Sequence, residues 1–76
     1  MKTIQISLNS IDKVKAFVND ITRFDNDFDL VSGRYVIDAK SIMGIFSLDL
    51  SKPIELIAHT EDAEKLFEAI DSYIVK

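Results

Sequence analysis

Apolar and polar positions alternate at the start of the chain. Ile4, Ile6 and Leu8 are separated by Gln5 and Ser7, with Thr3 ahead of them, which is the two-residue period of a strand with one buried face. From Ile11 the period lengthens. Ile11, Val14, Phe17, Val18 and Ile21 fall on one stripe of a helix running to about Arg23, and Asn9 or Ser10 stands where a side-chain oxygen can cap its free backbone N–H groups. Phe24 to Asn26 make a polar turn. Beyond it Phe28 and Leu30 alternate with Asp27 and Asp29, Ser32-Gly33 punctuates, and Tyr35-Val36-Ile37 resumes, a pattern that predicts a hairpin. Ser41 to about Leu48 reads as a short helix, apolar on several sides and interrupted by Gly44, which costs about 1 kcal/mol of helix propensity relative to alanine. Asp49 to Pro53 is a loop, and Ile54-Glu55-Leu56-Ile57-Ala58 is a fourth strand entered through Pro53, where no ladder donor is needed. A last helix is predicted with Thr60 as its cap and Glu61, Asp62 and Glu64 in its first turn. Its buried stripe is Ala63, Leu66, Phe67, Ile70, Tyr73 and Ile74.

Strand, helix, strand, strand, helix, strand, helix is an α/β order in which two apolar surfaces must meet. The simplest solution is a four-stranded antiparallel sheet covered on one face by three helices, the other face being wet. Seventy-six residues suit one domain, 1–76, near the size limit at which a single core outweighs chain entropy.

Composition narrows the function. No apolar run approaches the roughly 20 residues that span a bilayer, and the alternating Met1 to Gln5 lacks the apolar block of a signal peptide. The absence of cysteine removes disulfides and thiolate metal sites, so a cytoplasmic protein is expected. Thirteen acids against nine bases give a net charge of -4, and the bases are scattered, which argues against nucleic acid and anionic membranes as partners. A monomer is expected.

Candidate chemistry is sparse. Asp25, Asp27 and Asp29 have the spacing of a calcium loop, but Leu30 stands where that loop needs glycine and Val36 where it needs its bidentate glutamate. No nucleophile-base-acid set, glycine-rich phosphate loop or metal-ligand cluster occurs. The expectation is a binding module, not an enzyme, with no metal and no cofactor.

The segment Asp38-Ala39-Lys40-Ser41-Ile42-Met43-Gly44, followed by Ser47-Leu48, resembles the regulatory segment of HPr, the small phosphocarrier of the bacterial phosphoenolpyruvate-dependent sugar phosphotransferase system. Phe24-Asp25-Asn26-Asp27 and Gly33 extend the resemblance over essentially the whole chain. It implies an open-faced α/β sandwich of order βαββαβα. It also implies that Ser41 is the regulatory serine, modified in some bacteria by a dedicated kinase. A phosphate there would meet free N–H groups at the helix start, with Lys40 as a nearby cation; alternatively Ser41 only caps the helix. By the same resemblance Lys40, Ile42, Met43 and Phe46 are partner-docking positions, although these apolar residues could instead face the core. Protein partners are expected: phosphotransferase components, a serine kinase or a catabolite regulator.

The resemblance fails where the family does its chemistry. The position of the phosphorylated histidine is Ser10, that of the accompanying arginine is Asp12, and Lys13 replaces the next proline. A nitrogen-linked phosphoryl group is labile enough to be passed on, whereas a serine ester is too stable to be an intermediate. Asp12 would oppose phosphate by about 4 kcal/mol at about 4 Å and an effective dielectric near 20. The lone histidine, His59, leaves the fourth strand at the end of the sheet opposite Ser10 if that strand runs antiparallel to the first. Ser10 itself can serve as a helix cap. The expectation is therefore an HPr-like binding or regulatory protein without histidine relay; the rivals are a phosphocarrier using another acceptor and an interaction domain unconnected with sugar transport.

Overall fold

In the computed structural model, which describes residues 1–75, the first strand β1 (Lys2–Ile6) turns Ile6 into the core and leaves Thr3 and Gln5 exposed. It is followed by α1 (Ile11–Ile21), the hairpin strands β2 (Phe28–Ser32) and β3 (Tyr35–Asp38), α2 (Ile42–Phe46), β4 (Ile54–Ala58) and α3 (Glu64–Ala69), with a 3-10 turn at Asp71–Tyr73. The strands form one antiparallel sheet in the order β1-β4-β2-β3. Its register aligns Ile4, Leu56, Leu30 and Ile37 in one row beneath the helices. The next row, Gln5, Glu55, Val31 and Val36, faces the other way. The open-faced arrangement of four strands and three covering helices is the one expected from the sequence.

The hairpin turns through Gly33 and Arg34. Gly33 has φ +59° and no other residue in the described chain has a positive φ outside glycine, so only the first turn residue is left-handed, as in a type II′ turn. That conformation matches the right-handed twist of the strands and asks for glycine at this place.

Ser10 caps α1: its Oγ accepts the Lys13 N–H at 3.1 Å. Val14, Phe17 and Ile21 are buried as the stripe predicts, but Ile11 is 61% exposed. The difference follows from helix geometry, because a side chain in the first turn leans toward the N-terminus and has no preceding turn to pack on.

The last helix departs further from expectation. Thr60 does not cap it; the hydroxyl accepts the Asp62 N–H at 3.2 Å in a local turn, and α3 starts later, at Glu64, after Ala63, which offers no capping oxygen. Threonine's ability to bond its own neighbourhood competes with helix capping. Glu61 and Asp62 therefore precede the helix, and Glu61 instead holds the N-terminal ammonium at 3.1 Å. The stripe also ends differently: Leu66, Ile70 and Tyr73 are buried, but Ile74 has left the helix and bridges Ile6 in extended form. Tyr73 stands edge-on to Phe17, ring centroids 5.6 Å apart, and its hydroxyl donates to Asp20 Oδ2 at 3.0 Å, which ties the chain's end to α1. Apart from the Tyr73 hydroxyl, which is bonded, the buried side chains among the described residues are apolar, and none leaves a buried nitrogen or oxygen without a partner.

Candidate partner-docking surface

The sheet register locates each candidate. Ile6 pairs with Ile54, so the first strand ends, and α1 begins with Ser10, at the sheet end where β4 starts. Lys2 and Phe28 both pair with Ala58 at the other end, where β3 finishes at Asp38 opposite Asp29. Ser41 follows Asp38 and so lies at that second end, and α2 leads the chain back toward Ile54 and the Ser10 end. The structure thus does not bring Ser10 and Ser41 together. His59 shares the second end, across the sheet from Ser10, and its Nε2 is 2.7 Å from Asp29 Oδ2 on the open face.

Five residues of helix cannot stand alone, since nucleation outweighs so few internal bonds. α2 is held at its start by Ser41, whose Oγ accepts the Gly44 N–H at 3.2 Å while its C=O accepts the Ile45 N–H at 3.0 Å. It is held to the core by Ile45 and by Leu48 just beyond it, both buried. At its end the Ser47 hydroxyl donates to Gly44 C=O at 2.6 Å. The following loop is closed by Asp49, which accepts the Ser51 hydroxyl at 2.5 Å and the Ser51 N–H at 3.1 Å; these bonds hold its carboxyl below the usual range.

With Ile45 and Leu48 turned inward, the remaining apolar residues divide. Ile42 is half-buried against the core. Met43 is 78% and Phe46 39% exposed, and their spacing of three puts them on one helix face. An exposed methionine and a partly exposed aromatic are side chains from which adaptable apolar contacts are made.

Lys40, the cation expected near Ser41, has its side chain engaged by the segment that follows α1. Its Nζ donates to Phe24 C=O at 2.6 Å and lies 5.4 Å from the centre of the Phe28 ring, while its N–H donates to Asp38 Oδ1 at 2.9 Å. The ammonium closes the end of α1 onto the start of α2. Nothing local in the sequence signals this strap or the His59–Asp29 pair, because the partners are 16 and 30 residues apart.

Among the described residues no group of three or more His, Cys, Asp or Glu is arranged to hold a metal ion, and no helix is long and apolar enough to cross a membrane. Asp27, Asp29, Asp38 and His59 line a hollow with Phe28, and Asp25 is not part of that lining.

Residues 12–76 match the family described as the PTS HPr component phosphorylation site; the match opens at Asp12, two positions past Ser10. The HPr-like protein Crh of Bacillus subtilis (strain 168) is 38% identical over 60 residues, 76% of this chain and 71% of that protein. HPr-C-His from Thermoanaerobacter tengcongensis superposes with a TM-score of 0.78 and 26% identity, covering 95% of this chain and 89% of its own. The phosphocarrier protein HPr from Bacillus anthracis str. Ames gives a TM-score of 0.72 and 31% identity over 97% of this chain and 94% of its own.

Proposed function

The chain belongs to the HPr family of the phosphotransferase system, and from that membership we propose that it is a cytoplasmic binding and regulatory module that does not relay phosphate through histidine. The observation that carries this reading is the fate of the α1 N-terminus. Its first oxygen is that of Ser10, engaged in capping Lys13, and Asp12 follows with a negative charge. The chain's one imidazole is across the sheet, bonded to Asp29. A hydroxyl could hold a phosphoryl group only as a stable ester, and the neighbouring carboxylate would repel it.

The surface that remains for function is the exposed side of α2. Met43 and Phe46 offer apolar contact, and Ile42 and Lys40 frame them. Ser41 is the switch: its oxygen already points at the Gly44 N–H, so a phosphate there keeps a backbone donor while adding charge beside the docking face. Lys40 has then to choose between Phe24 C=O and the phosphate. The partners are phosphotransferase components, a serine kinase or a catabolite regulator. The protein acts by docking and catalyses nothing itself.

Two incubations test the reading, each followed by intact mass. With Enzyme I and phosphoenolpyruvate the mass stays unchanged; an acid-labile phosphoryl adduct would overturn the loss of relay. With the family's serine kinase and ATP one phosphoryl group is added, and Ser41→Ala abolishes it. An unmodified chain in that second incubation removes the switch.

A further inference from the structure

β3 forms the hairpin-side margin of the sheet, with no strand beyond it. One bond fixes the direction of its backbone: the Ala39 N–H donates to Phe28 C=O at 2.9 Å, so Ala39, and with it Ile37 and Tyr35, turn their backbone groups toward β2. Those of Val36 and Asp38 therefore point outward. The Asp38 C=O accepts the Ser41 N–H at 3.0 Å, but the Val36 N–H, the Val36 C=O and the Asp38 N–H meet no partner among the described residues. This vacancy is interior to the chain, since the described C-terminal segment runs along β1, at the opposite margin.

An unpaired strand margin is a template for a further strand, and charges usually blunt it. Here their placement does the opposite. Arg34 stands two residues before Val36 and Asp38 two residues after it, and all three are exposed. When two copies of β3 run antiparallel about a two-fold axis through Val36, Arg34 of each copy comes opposite Asp38 of the other. Neighbouring registers lack this match. Centring the axis on Ile37 sets Arg34 opposite Lys40, centring it on Asp38 sets two carboxylates face to face, and centring it on Tyr35 carries Asp38 past the turn of the other copy. The apolar positions agree with the first register: Val36 meets its own copy on the open face, and Tyr35 comes opposite Ile37 on the other side. Tyr35 and Val36 are large apolar side chains left in solvent by the single chain.

We propose that β3 pairs antiparallel with β3 of a second copy of this chain about Val36, joining the two sheets into one, with two Arg34–Asp38 ion pairs fixing the register. The copies exchange N–H to C=O bonds at Val36. Arg34 lies at the hairpin turn and reaches Asp38 through its long side chain, while Asp38 Oδ1 stays on the Lys40 N–H and Oδ2 faces the guanidinium. A single strand pair is well below the about 1,200 Å² of a stable interface, so the dimer is weak and forms at high concentration in place of the expected monomer. The pairing depends neither on Ser41 nor on phosphate relay.

Sedimentation equilibrium of the full chain should show the average mass rising toward that of a dimer as the concentration approaches about 1 mM, with the Val36 amide exchanging more slowly over the same range. Arg34→Asp and Asp38→Arg each set like charges opposite one another twice, so either alone should weaken association roughly tenfold. Mixed in equal amounts the two variants should associate again as a heterodimer, because each supplies the charge that the other lacks. Asp38→Asn keeps an oxygen for the Lys40 N–H and should weaken association roughly threefold, which separates the charge from the turn. A mass that stays monomeric at the highest concentration, a dimer unaffected by R34D or by D38N, or a mixture of folded R34D and D38R no tighter than either alone would each overturn the proposal.

Discussion

The hydroxyl of Ser41 and the α-carbon of Gly44 sit so close that a methyl group on Gly44 would stand 3.2 Å from the oxygen that caps its own N–H, and 3.3 Å from Ile37 Cδ1. The glycine that weakens α2 by propensity is thus also what lets its cap close.

Gly44→Ala therefore should not deliver the gain of about 1 kcal/mol that alanine brings at an unconstrained helix site. Crowding of Ser41 and Ile37 offsets it, and the urea midpoint should stay level or fall. Ser41→Ala alone should cost about 1 kcal/mol as a lost cap. In the double variant the clash with the hydroxyl is gone, so the two effects should fail to add. Simple additivity in urea unfolding would show that the close approach carries no energetic consequence.

Lys40→Met keeps an apolar stem of similar reach but removes the donor that Phe24 C=O accepts. A loss of about 1 kcal/mol in stability is expected, with amide NMR shifts at Phe24 to Phe28 as well as at Ser41. Shifts confined to α2 would mean that the strap does not couple the two segments.

Met43→Asp touches an exposed side chain, so stability should change by no more than about 0.5 kcal/mol. Docking should nonetheless fail, read as slower phosphorylation of Ser41 by the serine kinase and weaker capture of a catabolite regulator. Ile45→Ala, one turn-face away and fully buried, should do the reverse, costing about 2–5 kcal/mol of stability. Wild-type kinase rates for Met43→Asp would remove that residue from the docking face.

Burial, and then the bond to Asp20, pushes the Tyr73 hydroxyl above its ordinary pKa of 10.0. A proton held more tightly in the folded chain stabilises it fully below about pH 10, and that contribution is lost as pH rises through the folded value. Tyr73→Phe retains the edge-on contact with Phe17 but not the hydrogen bond, so it should be less stable by about 1 kcal/mol near neutral pH. Thermal unfolding of the two proteins should converge as the pH climbs past 10.0. A constant gap over that range would show that Tyr73 does not titrate with unfolding.

Much of the fold was legible in spacing. The strand periods, the α1 stripe from Val14 to Ile21, the turn at Gly33 and the cap at Ser41 all depend on neighbours within a few residues, and the structure keeps them. Thr60 was misleading because its hydroxyl has two local uses, a helix cap or a tight turn, and only the placement of Ala63 against the core decides between them. Ile11 likewise fits a helical stripe yet lies outside the core, since the stripe says which side of the helix it is on and not how far the sheet extends beneath it.

By itself the sequence determined which segments are strands and helices, which family they build, and that a hydroxyl and a carboxylate occupy the start of α1. Those are matters of residue identity and local period. Only the tertiary structure decided that Lys40 is bound to Phe24 C=O, that His59 is held by Asp29 across the sheet from Ser10, and that Met43 and Phe46 face solvent while Ile45 does not. The reason is physical: strand pairing and packing bring together groups that the chain holds far apart, and a short helix with apolar residues on several sides has no inner face until a core is laid against it.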